Sequence, residues 1–235
     1  SDGSFSQQMI QTLNHLKKSY VEIYLKRHRK ARLNAEEDKR KQTLMKDFRL
    51  KELQKLSTIE LMPHQSLTSF QNKLAGLKSC FQLTGSDLAS NPVCRDCGFK
   101  PIQEDQTTAG SEMLKQLDDE LDRLHQSWVK SLLSNLEDPT VQEKMELLQR
   151  SNREKVAGFL KSKTLPDDLS DEFLKAIQEA LSGLSKIVIS LDDLKKALYA
   201  EGSPATPKEL KERFSGYLNH LIAGKDQDKV RIVIE

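Results

Sequence analysis

The sequence predicts a mainly α-helical protein, built on a long antiparallel helical hairpin or bundle. Apolar residues recur at alternating spacings of three and four in two long, highly charged stretches, and a segment that contains every cysteine separates them. The composition agrees, because 37% hydrophobic and 31% charged residues with only seven prolines are typical of helical or partly coiled-coil proteins. A change of period near the C-terminus adds a small β-α-α-β unit to this fold class.

The N-terminal half predicts three helices. An apolar stripe indicates a first amphipathic helix over about 5–33. Asn34, followed three residues later by a carboxylate, is a capping signature for a second helix over about 35–57. A third helix is expected over about 65–81. The cysteine segment, 80–101, then contains the glycines, prolines and asparagine typical of turns, and we call it the cysteine knuckle.

The second half begins with a helix that keeps heptad spacing from Leu114 to Leu136, and we expect it to pair antiparallel with the first helix. This places one domain at 1–140 and a helical lobe at 141–235. Shorter helices are expected at about 141–150, 152–162 and 170–184, with Ser151 and Ser170 as N-caps.

The last fifty residues predict a small α+β unit. Two β-branched segments, 186–190 and 229–235, are typical of strands, and two capped helices lie between them. Because two strands alone make a marginal sheet, we expect the pair to be completed by packing on the helices, or by strands from a larger parent protein or a partner chain.

The cysteine knuckle is the one segment whose residues indicate chemistry. Cys94 and Cys97 form a C-x-x-C pair directly before a glycine, which is typical of thiolate zinc sites. Cys80 adds a third thiol, and His64 is the nearest imidazole in the sequence, so these four residues are the predicted ligands of a structural zinc ion.

Three alternatives remain for these thiols. The simplest interpretation is a compact turn that contains thiols and no metal. A redox C-x-x-C expects the strand-to-helix context of a thioredoxin-like fold, which the flanking residues do not supply. A zinc hook between two molecules fits the order of helix, knuckle and helix, but it leaves Cys80 without a role.

A basic run lies near the end of the first helix, and it is a candidate contact for nucleic-acid phosphates, including those of DNA. On a helix these side chains point in all directions, so an ordinary solvated surface competes with that interpretation. The candidate residues are Lys26, Arg27, Arg29, Lys30 and Arg32.

Other features predict no catalysis. Nucleotide-binding glycine loops, the serine-hydrolase elbow and the zinc-protease motif are absent from the sequence. The formal net charge of +2 indicates no particular partner, although residues 1–60 hold fourteen Lys and Arg against eight Asp and Glu. Three cysteines are too few for a disulfide framework and no long apolar run occurs, so we expect a cytoplasmic protein with no membrane contact.

Four stretches resemble the C-terminal part of the large PglY/BrxC-like ATPases of bacterial phage-exclusion (BREX and Pgl) systems. They are YVEIYLKRHRKARL at 20–33, the knuckle LTGSDLASNPVCRDCGFKP, the helix sequence LHQSWVKSLLSNLEDPTV and the ending KELKERFSGYLNHLIAGKDQDKVRIVIE. In that family the nucleotide site belongs to an N-terminal P-loop module, which this chain lacks. Cys80, Cys94 and Cys97 match a recurring feature of the family.

The resemblance implies a non-catalytic C-terminal region of a longer ATPase. Its expected role is scaffolding or interaction in an anti-phage defence assembly, with protein partners and oligomerisation through coiled-coil stripes. The alternative function is a nucleic-acid-binding module that uses the basic first helix and a zinc-stabilised knuckle.

Overall fold

The computed structural model describes residues 2–104, 108–200 and 202–235, with side chains from Ser4 onward. These residues are mainly helical, as predicted, and contain one small parallel sheet of two strands. In chain order the elements are α1 (Asp2–Ala31), α2 (Ala35–Met45), α3 (Phe48–Leu56), α4 (His64–Gly76), α5 (Gly85–Ser90), α6 (Gly110–Leu136), α7 (Pro139–Met145), α8 (Arg150–Ser162), α9 (Asp171–Leu181), β1 (Ser185–Ile189), α10 (Leu191–Tyr199), α11 (Pro207–Leu221) and β2 (Val230–Ile234).

The chain divides into two compact units, each built from two separate segments. The first unit comprises the residues up to Asp47 together with Phe70–Leu121, and the second comprises Phe48–Ser69 together with Asp122–Glu235. The sequence pattern predicts a boundary near 140, whereas this division passes through α4 and α6. The first unit contains the whole cysteine knuckle, and the second contains the parallel sheet.

Side-chain caps fix several helix starts where the sequence predicts them. Asn34 accepts hydrogen bonds from the backbone N–H groups of Glu36 and Glu37, and the Glu37 carboxylate accepts one from the Asn34 N–H, which completes a capping box. The hydroxyl of Ser170 caps α9 and that of Thr206 caps α11, each by accepting a hydrogen bond from the backbone N–H three residues later.

Several predicted boundaries differ from the structure. The helix expected over 35–57 is two helices, because α2 ends at Met45 and α3 starts at Phe48. Ser151 does not cap α8, which begins at Arg150, two residues before the predicted start, with Gln149 in the N-cap position. The knuckle, expected to be irregular, contains the short helix α5, whose Thr84 and Asp87 form another capping box.

The apolar stripe of α1 is exposed over most of its length. Its members from Phe5 to Ile23 are 43–70% exposed, so α6 does not cover them along the helix as the predicted hairpin requires. Burial on α1 begins at Tyr24, where the helix reaches the cysteine knuckle. Only the C-terminal end of α1 therefore contributes to the core of the first unit.

The second unit has its core among α3, α6, α7, α8 and α9. Trp128, Leu132 and Leu136 of α6 are almost fully buried, which confirms their predicted place on a core-facing stripe. Six of the eleven residues of α9 are buried, and Phe173 packs edge-on against Phe159 of α8.

The C-terminal β-α-α-β unit forms as predicted, and its two strands are parallel. β1 pairs with β2 in the register Ser185 with Val230 through Ile189 with Ile234, with α10 and α11 in the crossover. Among the described residues after Leu181, Ile189 alone is buried, and neither α10 nor α11 buries any side chain. This unit consequently has almost no core of its own.

The hydropathy of the described helices excludes a membrane span among them, since none combines enough length with enough apolar character.

We predict that the amides of α10 and α11 exchange with solvent much faster than those of α9, because helical amides without buried apolar packing open with little free-energy cost. Hydrogen exchange followed by mass spectrometry, at low protein concentration, measures both regions in one experiment. Equal protection of α9 and α11 would show that the β-α-α-β unit is stabilised as strongly as the helical core.

Candidate metal centre

The last two helical turns of α1 pack one face against the cysteine knuckle. Tyr24 and His28 are four residues apart and therefore lie one above the other on the helix. Their rings stack at 6.3 Å between centroids, and both meet the Phe99 ring edge-on. Tyr24 is 1% exposed and His28 is 3% exposed, so this face is buried.

The Tyr24 hydroxyl holds the knuckle against α1. It donates a hydrogen bond to the backbone carbonyl of Phe99 and accepts one from the N–H of Cys94 at 2.8 Å. The Tyr20 hydroxyl, one turn earlier, donates to the carbonyl of Pro92. These bonds fix the loop on both sides of the C-x-x-C pair, so the position of the thiols is set by a helix and not by the loop alone.

The C-x-x-C segment itself forms a tight turn. The Gly98 N–H donates to the Cys94 carbonyl at 2.9 Å, and Gly98 has a φ of 61°, a conformation that favours glycine. The turn directs the backbone N–H groups of Asp96 and Cys97 at the Cys94 sulfur. This is the arrangement that the glycine after the pair predicts.

Cys80 reaches the same place through the chain that follows α4. Its N–H donates to the carbonyl of Leu33 at 3.1 Å, and the Leu33 N–H donates to the carbonyl of Lys78 at 3.0 Å. This short parallel bridge ties the segment before Cys80 to the residue just beyond the end of α1. Three stretches of the first unit therefore converge on one point.

The four side chains at this point are His28, Cys80, Cys94 and Cys97. One ligand atom from each lies within 4.8 Å of the other three. The His28 Nε2 is 3.3 Å from the Cys97 Sγ, and the Cys80 Sγ is 3.7 Å from the Cys94 Sγ. All three cysteines are free, and a disulfide would need about 2.05 Å between the sulfurs.

These separations match a tetrahedral zinc site. With Zn–S bonds of about 2.3 Å and a Zn–N bond of about 2.0–2.1 Å, tetrahedral angles place two sulfurs about 3.8 Å apart and a sulfur and a nitrogen about 3.5 Å apart. The observed sulfur–sulfur and sulfur–nitrogen distances are within a few tenths of an ångström of these values. The four residues can therefore hold a metal ion.

The environments of the thiols differ. Burial opposes ionisation of Cys94, but the N–H groups of Cys97 and Asp96 together with the neighbouring thiols hold its pKa below the ordinary value. Burial, followed by the hydrogen bond between the Cys80 and Cys94 thiols and the charge of Cys97, raises the pKa of Cys80 to about 12. Without a cation, the cluster thus ionises unevenly, and a bound cation would offset the repulsion between thiolates.

His28 is suited to act as a neutral ligand. Burial lowers its pKa, and the positive charges of Arg32 and Arg29 lower it further. A neutral imidazole is the form that coordinates metal ions.

Arg32 and Glu104 enclose the cluster. The Arg32 guanidinium lies 4.8 Å from the Phe99 ring centroid, forms a 2.7 Å ion pair with Glu104 and interacts with the Cys97 sulfur. Burial opposes ionisation of Glu104, but the Arg32 hydrogen bond keeps its pKa below the ordinary value. Three thiolates and Zn²⁺ would carry one net negative charge, and the buried guanidinium beside them would balance it.

The structure corrects two of the predicted site residues. His64 is exposed at the start of α4 and is not part of the cluster; His28 takes the predicted fourth place. Arg32 is only 3% exposed and is bound to Glu104, so it cannot present its charge to a phosphate, whereas Lys26, Arg27, Arg29 and Lys30 are exposed. His28 is overlooked as a metal ligand if it is considered only as one member of the basic run of α1.

A signal for His28 does exist in the sequence. The buried end of the α1 face contains Tyr24 and Ala31, seven residues apart, and a helix places the residue four after Tyr24 on the same face. That residue is His28. Helical periodicity thus identifies it as inward-facing, although it does not identify what it meets.

A second histidine has an acidic partner in the other unit. The Nε2 of His125 in α6 lies 2.5 Å from a carboxylate oxygen of Glu52 in α3, and the His125 ring packs edge-on against Phe48. His125 and Glu52 both line a groove of about 940 Å³. No metal cluster other than the one at His28 is found among the described side chains.

Comparison with known proteins gives one match. A family model described as "Family of unknown function (DUF6079) 6th domain" matches residues 36–127, which is less than half of the chain. The match includes Cys80, Cys94 and Cys97 but begins after His28. No curated protein and no solved structure matches the chain.

We predict that Tyr24→Phe lowers the free energy of unfolding by about 1–3 kcal/mol, because the buried N–H of Cys94 and the carbonyl of Phe99 both lose their partner. Tyr199→Phe is the matched control, since Tyr199 is 59% exposed. Urea unfolding followed by circular dichroism measures both variants, and equal midpoints would contradict the role assigned to the Tyr24 hydroxyl.

Proposed function

We propose that the chain is a non-catalytic interaction region in which a structural zinc ion joins α1 to the cysteine knuckle. The observation that supports it most strongly is the convergence of His28 with three cysteines, all four ligand atoms lying within 4.8 Å. Zinc is the preferred metal because three thiolates and one imidazole in a tetrahedral arrangement form a typical structural zinc site.

The ligand set also favours a structural role over a catalytic one. Catalytic zinc sites keep a coordination position open for water or substrate, whereas four protein ligands fill a tetrahedral shell. His28 and Cys94 are buried, which leaves little access for a substrate. The zinc ion would act as a crosslink whose binding free energy contributes to folding.

The wider role as part of a larger assembly is supported by two features. The matching family model describes a sixth domain, so proteins of that family contain several domains. In addition, four stretches of the sequence resemble the C-terminal part of phage-exclusion ATPases. In this proposal another part of the parent protein carries the nucleotide site, and this chain contacts partners of an anti-phage assembly in the cytoplasm. Free thiols agree with a reducing compartment.

Nucleic-acid binding is a second candidate. Lys26, Arg27, Arg29 and Lys30 are exposed on the same helical segment that carries His28, so a zinc-bound knuckle would hold this basic segment rigid. Because the four charges point in several directions, only some of them can contact one phosphate backbone at a time.

We predict that the purified chain contains one zinc ion per molecule and that Cys94→Ser and His28→Ala both lose it. Removal of one of four ligands should weaken zinc binding by more than the roughly 10–100-fold that substitution outside the coordination shell costs. His64→Ala is the matched control and should retain full zinc content. Plasma emission analysis after dialysis measures the metal, and chelator competition gives the affinity.

Three results would contradict the proposal. A zinc-free wild type that also fails to bind added zinc would remove the site, and zinc lost equally from His64→Ala would show that the fourth ligand is misassigned. Hydrolysis of ATP by the isolated, P-loop-free chain would contradict the non-catalytic assignment.

For the second candidate, we predict that DNA binding weakens with salt at a slope no steeper than about −3.6 in log K against log salt, the value for four phosphate contacts. Arg27→Ala with Lys30→Ala should flatten the slope by up to about 1.8, whereas Lys208→Ala with Lys211→Ala on α11 should leave it unchanged. Fluorescence anisotropy with a labelled duplex measures it. Absence of binding at low salt would reject this candidate.

A further inference from the structure

The outer edge of β2 has the properties of an unfinished sheet. Within the part of the chain that the structure describes, the sheet consists of β1 and β2, so each strand has one neighbour. Parallel strands normally occur in larger sheets that are covered on both faces. On one face of this sheet, Ile232 and Ile234 of β2 are 38% and 52% exposed, while Ile189 of β1 is 3% exposed. The apolar surface is therefore open on the β2 side.

The backbone pattern shows which groups lack a partner strand. The N–H of Glu235 donates to the carbonyl of Ile189, and the carbonyl of Glu235 accepts from the N–H of Leu191. Both backbone groups of Glu235 thus point toward β1, and because this direction alternates along a strand, those of Val233 and Arg231 do the same. The N–H and C=O groups of Ile232 and Ile234 therefore point outward.

The outer edge of β1 is less suitable for a partner strand. Its outward backbone groups belong to Lys186 and Val188, by the same alternation. The Lys186 ammonium is bound to the carbonyl of Met62 at 2.7 Å and lies 3.8 Å from the Glu235 carboxylate. A charged side chain held at an edge is a feature that disfavours strand addition. On β2 the outward groups of Val230 are already bound, its C=O by the Arg231 guanidinium and its N–H by the Gln227 carbonyl, and the remaining outward positions are Ile232 and Ile234.

We propose that β2 pairs antiparallel with β2 of a second copy of this chain, which gives a four-stranded sheet in the order β1, β2, β2 of the second copy and β1 of the second copy. The register is centred on Val233. It places Ile232 opposite Ile234 of the other copy, and these two residues carry the outward backbone groups. Each such pair exchanges two hydrogen bonds, so the symmetric pairing forms four.

The side chains are self-complementary in this register. Ile232 lies beside Ile234 of the other copy in both directions, and these contacts bury part of the exposed apolar surface of β2. Arg231 lies opposite Glu235 of the other copy, so no like charges are opposed. Arg231 is already held by Asn135 and Asp138, and we assign the cross-pair a permissive role and not an attractive one.

The low burial of the C-terminal unit explains why pairing would stabilise it. One buried residue, Ile189, is too small a core for a β-α-α-β unit. The strands of the second copy would increase the apolar surface that is buried at this sheet. The exposed stripe of α1 is the competing surface for self-association, since its seam from Met9 to Ile23 has coiled-coil spacing. That seam covers only about two heptads, fewer than a stable coiled coil normally needs.

The test is sedimentation velocity over a concentration series with wild type and Ile234→Pro. The wild type should show a monomer–dimer equilibrium. Proline removes an outward N–H without removing a hydrogen bond of the β1–β2 ladder. The symmetric dimer loses two hydrogen bonds, so its Kd should rise roughly thirtyfold.

Three further variants make the outcome decisive. Ile232→Lys should also weaken dimerisation, whereas Leu147→Lys, at a site that is 86% exposed, and Leu13→Lys on the α1 stripe should leave it intact. Circular dichroism confirms that each variant is folded. A wild type that stays monomeric, or a dimer that survives Ile234→Pro and is lost in Leu13→Lys, would overturn the proposal. Neither outcome depends on whether the His28 cluster binds zinc.

Discussion

The contact between His28 and the cysteine knuckle is the interaction on which the arrangement of the first unit depends. It joins α1 to a loop that is distant in sequence, and it brings a nitrogen ligand to three thiols. The loop has little core to hold it, since the buried cluster around it contains only Tyr24, Ala31, Leu88, Cys94 and Phe99. A metal crosslink would supply the stabilisation that so small a core cannot.

Around this contact, each neighbouring group has a definable task. The Tyr24 hydroxyl fixes the backbone on both sides of the C-x-x-C pair, and the turn N–H groups favour the Cys94 thiolate. The Arg32–Glu104 pair closes one side and places a buried cation next to Cys97. The basic run of α1 therefore contains two residues with inward roles, His28 and Arg32, among others that remain solvated.

The local parts of this structure could be predicted from sequence, and the tertiary parts could not. Caps such as Asn34 and Thr206 are short-range features, and the alternating pattern of 229–235 identifies β2. The cysteine knuckle can be recognised in the sequence because a C-x-x-C pair followed by glycine forms a local turn. The choice of His28 over His64 depends on which helix packs on the knuckle, and spacing along the chain carries no information about that.

The same distinction explains the exposed stripe of α1 and the open sheet. Periodicity predicts that Phe5 to Ile23 form an apolar seam, and the structure contains that seam, but the identity of its covering surface is not encoded in the period. Likewise the two strands form as expected, but their pattern does not encode what would lie against the outer edge of β2. Both surfaces are apolar and exposed, and they are therefore the places where the proposed contacts can be tested.

The most direct test of the zinc assignment is X-ray absorption at the zinc edge, because the first coordination shell reports the identity and number of ligands. Coordination by His28, Cys80, Cys94 and Cys97 predicts three sulfurs at about 2.3 Å and one nitrogen at about 2.0–2.1 Å. A shell dominated by nitrogen and oxygen, or a shell of four sulfurs shared between two molecules, would contradict the account.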